Sequence, residues 1–60
     1  MVKIQAKVGL FTYWISEKKG QFRIEGLRDN GDWLTPSEAV GKIALARSKY
    51  PKLTFKIEAA

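Results

Sequence analysis

Sixty residues, 45% of them hydrophobic and 28% charged, make the composition of one small globular domain. The absence of Cys and His excludes disulfides and ordinary zinc centres, and it removes the commonest residues of nucleophilic and general-base catalysis. Eleven Lys and Arg against six Asp and Glu leave a net charge of +5, a balance that suits an anionic partner such as DNA or RNA.

Val2, Ile4, Ala6 and Val8 alternate with Lys3, Gln5 and Lys7. Period two predicts a half-buried strand with a basic outer face. The mixed character of this segment gives no signal-peptide core, and no apolar run approaches the roughly 20 residues of a membrane span. A cytoplasmic protein with no membrane partner is expected. Leu10 to Ile15 is aromatic and β-branched and reads as a second extended stretch. Even positions point inward through Val8, whereas Phe11, Tyr13 and Ile15 are odd. A bulge or sharp bend at Gly9 would flip the parity, bury Phe11 and Tyr13, and leave Trp14 on the outer face.

Ser16 to Gly20 reads as a hairpin loop, and Gln21 to Leu27 as a strand with Phe22 and Ile24 on one face. Asp29-Asn30-Gly31-Asp32 contains Asn-Gly, the strongest short hairpin signal, and predicts a turn into a short strand at Trp33-Leu34. Thr35-Pro36-Ser37-Glu38 combines an N-cap Thr, Pro at the first helical position and Glu at the third. The helix should run to about Tyr50, with Pro51 stopping it. Ala39, Val40, Ile43, Ala46 and Tyr50 form its inward stripe, with Ala44 at the edge. Leu53, Phe55 and Ile57 alternate with Thr54, Lys56 and Glu58, giving a last strand.

The order β-β-β-(short β)-α-β in one domain, residues 1–60, predicts a two-layer α+β fold. Its single helix covers one face of an antiparallel or mixed sheet. A parallel last strand would make the helix a right-handed crossover.

Little in the chain suggests chemistry. Glu38 belongs to its cap, and Asp29 and Asp32 belong to a turn that lacks the later ligands of a calcium loop. The glycines match neither a dinucleotide fingerprint nor a phosphate-binding loop, and no His activates Ser16, Ser37 or Ser48. No catalytic residue, cofactor or metal is expected.

Two surfaces remain. The outer sheet face carries Lys3, Lys7, Arg23 and Lys56 for phosphates, with Trp14 available to stack on an unpaired base. It supports a nucleic-acid-binding module. The bland reading is a solvated face kept soluble by lysines, and Glu25 and Glu58 interrupt its positive field. The outer helix face or an open sheet edge supplies the alternative, a protein-binding or self-associating module, such as a phage or bacterial inhibitor or adaptor, or a homodimer. Gly41 and Leu45 lie opposite the core stripe beside Ser48, and a mid-helix Gly asks for a reason such as close approach of a partner.

Gly20-x-Phe22-x-Ile24, then Gly31, then Thr35-x-x-Glu38-Ala39 resembles the sheet-then-helix pattern of the arm-binding N-terminal domains of phage integrases. That resemblance implies DNA reading by a three-stranded sheet. It covers about half the chain with unspecific motifs, and the strand after the helix departs from it. No family is recognised on this pattern alone.

Overall fold

The structure, a computed structural model, describes residues 1–59. Four antiparallel strands form one sheet in the order β3-β2-β1-β4, with a single helix packed on one face. The strands are β1 (Val2–Val8), β2 (Phe11–Lys18), β3 (Gln21–Glu25) and β4 (Thr54–Ala59). The helix α1 spans Pro36–Lys49, and a single turn of 3₁₀ helix occupies Arg28–Asn30. This is the expected two-layer α+β class. The last strand lies antiparallel to β1, with Ile4 opposite Ile57 and Ala6 opposite Phe55, so the helix is no parallel crossover. No helix among the described residues is long and apolar enough to cross a membrane.

Gly9 does switch the parity, but through a turn and not a bulge. Val8 pairs with Phe11, leaving Gly9 and Leu10 as a two-residue loop. Gly9 sits at φ 62°, the positive angle that a type II′ turn demands at its first central position. The strand therefore ends and reverses, and inward residues become odd-numbered in β2. Tyr13, opposite Ala6, lies on the helix side as expected but is half-buried and not buried. Phe11 faces the same side but stays 68% exposed, because it lies at the hairpin tip beyond the buried core. The second loop is shorter than Ser16 to Gly20. β2 continues to Lys18, and only Lys19 and Gly20 turn, both at positive φ.

The core follows from these faces. Ile4, Ala6, Ile15 and Phe55 of the sheet meet Ala39, Ile43 and Ala46 of the helix. Val2, Tyr13, Phe22, Ile24, Leu34, Tyr50 and Leu53 pack around them. Small Ala side chains at three helix positions let α1 lie close to the sheet. Val40 is not part of the stripe: it is 63% exposed, on the flank of the helix towards Ile57. On the opposite flank Lys42 bonds Glu17, and the ammonium groups of Lys42 and Lys49 lie 5.8 and 5.4 Å from the Phe22 ring centroid.

The capping box is present in full. The Glu38 amide donates to Thr35 Oγ1 at 3.2 Å, and the Thr35 amide donates to Glu38 Oε1 at 2.9 Å. The bond from the Thr35 amide holds the Glu38 carboxyl below its ordinary pKa, helped by the Thr35 side chain. A lowered folded-state pKa means that this capping contribution is complete above the usual carboxylate range. It is lost as pH falls through the lowered value. Thr35→Ala should lower stability by about 0.5–2 kcal/mol, read as a shift of the denaturant midpoint at neutral pH. An unchanged midpoint would remove the cap from the account of this helix.

Candidate nucleic-acid interface

Cross-strand partners share a face, so the register assembles the outer surface directly. Gln5 stands between Lys56 and Trp14, and Trp14 stands beside Glu25. Lys7 stands between Thr54 and Thr12, Lys3 opposite Glu58, and Arg23 opposite Ser16. All five expected contact residues, Lys3, Lys7, Trp14, Arg23 and Lys56, therefore lie on this one face. They do not share one environment.

Lys3 and Trp14 are covered, against expectation. Lys3 is 2% exposed and Trp14 7%. The chain between Glu25 and Thr35 crosses this side of the sheet. Lys3 Nζ donates to the Arg28 carbonyl at 2.6 Å and lies 4.6 Å from the Trp33 ring centroid. The Arg28 guanidinium sits 5.5 Å from the Trp14 ring centroid and 5.7 Å from that of Trp33. These are distances at which a cation is attracted to a ring. The Lys3 ammonium is thus spent inside the fold, and Trp14 offers no free ring for a base.

The same segment closes a fork in the sheet. The ladder between β1 and β2 runs from Gln5–Trp14 to Val8–Phe11. Past Trp14 the backbone of β2 turns to a new partner. The Asp32 amide donates to the Ile15 carbonyl at 3.1 Å, and Asp32 Oδ2 accepts from the Glu17 amide at 2.8 Å. On the other arm Val2 exchanges two backbone bonds with Leu34, at 2.7 and 2.8 Å. Residues 31–34 thus satisfy backbone groups that the diverging strands would leave unpaired. The Asn-Gly hairpin and the Trp33-Leu34 strand do not form. Asn30 ends the 3₁₀ turn, and Leu34 makes one isolated bridge to Val2.

The fully exposed charges on this face are basic. Lys7, Arg23 and Lys56 are exposed and, among the described residues, join no salt bridge. Glu25 and Glu58 stand on the same face, half-buried, and temper its positive field. Glu17 pairs with Lys42, Asp32 and Glu38 accept backbone amides, Glu25 accepts from Ser16 Oγ, and Glu58 accepts from Gln5 Nε2. Lys56, Lys7 and Arg23 lie on β4, β1 and β3. They spread over three strand spacings, about 14 Å, comparable with the roughly 12 Å width of a major groove.

The alternative surface is also as exposed as expected. Gly41, Leu45 and Ser48 lie in the open, and a Cβ built on Gly41 meets nothing within 4 Å. Packing inside this chain therefore gives no reason for a glycine there. Two features escaped the sequence reading, the cover formed by Arg28 and Trp33 and the groove beside Val40. Comparison with known proteins found no matching family model, no similar curated protein and no similar solved structure.

Proposed function

We propose that this protein is a small non-enzymatic cytoplasmic module that binds the phosphate backbone of a nucleic acid through the open part of its outer sheet face. The observation that carries this reading is the set Lys7, Arg23 and Lys56, exposed and outside any salt bridge among the described residues, on a face whose two carboxylates, Glu25 and Glu58, are half-buried. Thr12, Thr54 and Gln21 surround these cations and can donate to phosphate or sugar oxygens. With Trp14 buried, the aromatic ring open to a base on this side is that of Trp33, 46% exposed.

Three phosphate contacts imply that the logarithm of affinity falls against the logarithm of salt with a slope of about −3 on duplex DNA. Lys7→Ala or Arg23→Ala should each reduce that slope by about one unit, independent of sequence. Lys3→Met should leave it unchanged, because that ammonium is committed to the Arg28 carbonyl. Titrations with duplex and single-stranded DNA and RNA measure all three. Undetectable binding at low salt, where attraction is strongest, would retire this reading. It would bring forward the second, a protein contact over Gly41, Leu45 and Ser48, which the open space at Gly41 favours.

A further inference from the structure

We propose that β4 pairs antiparallel with β4 of a second copy of this chain, in the one register that places Ile57 opposite Ile57 across a two-fold axis. Among the described residues β4 is the last strand of the sheet, hydrogen-bonded to β1 alone. Which of its backbone groups are free follows from alternation. Val2 directs its amide and carbonyl to Leu34, away from β4. The same side of β1 is used by Ile4, Ala6 and Val8, so Lys3, Gln5 and Lys7 are the residues bonded to β4. Their partners are Glu58, Lys56 and Thr54. The backbone groups of Phe55, Ile57 and Ala59 therefore point out of the open edge.

An isologous dimer with both helices on one side of a continuous sheet pairs odd residues with odd residues. Two registers compete. Centring on Lys56 sets Lys56 against Lys56 and Thr54 against Glu58, a like-charge contact at the axis. Centring on Ile57 sets Lys56 of each copy against Glu58 of the other, and Phe55 against Ala59. It forms roughly six backbone hydrogen bonds, because all three outward-facing residues find outward-facing partners. Charge and hydrogen bonding select the same register.

The flank beside this edge fits a second copy as well. A groove of about 340 Å³ lined by Val40, Ile43, Ala44, Arg47 and Ile57 runs between α1 and β4. Val40 and Ile57 are among its exposed large apolar residues, and pairing would bring both copies' grooves together at the axis. The other edge is unsuited despite its similar Phe22-Arg23-Ile24-Glu25 string. There two lysines, Lys42 and Lys49, lie over the apolar Phe22 ring, against the single Arg47 of the β4 groove.

The test is sedimentation of the full chain from micromolar to millimolar concentration, with Lys56→Glu, Glu58→Lys and the double swap. Each single reversal creates two like-charge pairs and should weaken association by at least about tenfold. The swap restores both pairs and should recover most of the loss. Sedimentation is run without nucleic acid, so self-association is read apart from the role of Lys56 in nucleic-acid contact. Amide exchange of the unaltered protein gives a reading that needs no variant. The Ile57 amide should gain protection as concentration rises, while the Lys56 amide, already bonded to β1, should not change. A monomer at millimolar concentration overturns the proposal. So does a dimer indifferent to all three variants, or one whose Ile57 amide stays unprotected.

Discussion

Trp14→Ala should cost about 3–5 kcal/mol, the range for deleting a large aromatic side chain from a packed site. A sixty-residue domain has about 3–9 kcal/mol in total at typical stability per residue. The variant should therefore lose at least about a third of the domain's stability, visible as a strongly lowered denaturant midpoint. The size of the effect comes from what rests on the ring. Arg28 lies over it, 5.5 Å from its centroid. Removing the ring takes the support from the segment that closes the fork between β1 and β2. A folded variant that loses only single-strand binding would be the opposite result. It would return Trp14 to the role of a stacking residue.

Gly31→Ala tests the same cover from its other side. A Cβ there would stand 2.9 Å from Trp14 Cβ and 3.3 Å from the Arg28 carbonyl oxygen. Gly31 has φ −74°, an angle open to any residue, so the backbone conformation itself is not the obstacle. The obstacle is an atom fixed to the backbone of β2, which cannot rotate away as the end of a long side chain could. Overpacking of this kind should cost about 1–3 kcal/mol. Hydrogen exchange should show it first at the Val2, Asp32 and Leu34 amides, whose bonds hold residues 31–34 in the fork. Loss confined to α1 amides would place the damage elsewhere and refute the fork's dependence on Gly31. A neutral Gly31→Ala would show that the cover can move off the sheet, and Trp14 with it would become available.

The sequence by itself determined the features that depend on neighbouring residues. Thr35-Pro36-Ser37-Glu38 caps the helix because its donors and acceptors lie within one turn. Period-two alternation placed Lys3, Lys7, Trp14, Arg23 and Lys56 on one face, since a strand directs successive side chains to opposite sides. The change of parity at Gly9 was legible too, although a bulge or sharp bend within the strand is less than the full chain reversal that Gly at the first central position of a two-residue loop makes. Only the tertiary structure decided what covers each face. Alternation says which way Lys3 points. The carbonyl that meets its ammonium belongs to Arg28, twenty-five residues away in sequence. Asn30-Gly31 has the local chemistry of a hairpin, yet backbone groups of Val2, Ile15 and Glu17 needed partners, and residues 31–34 supply them. An unpaired buried backbone group is more expensive than a lost turn preference, so the distant demand prevailed over the local signal.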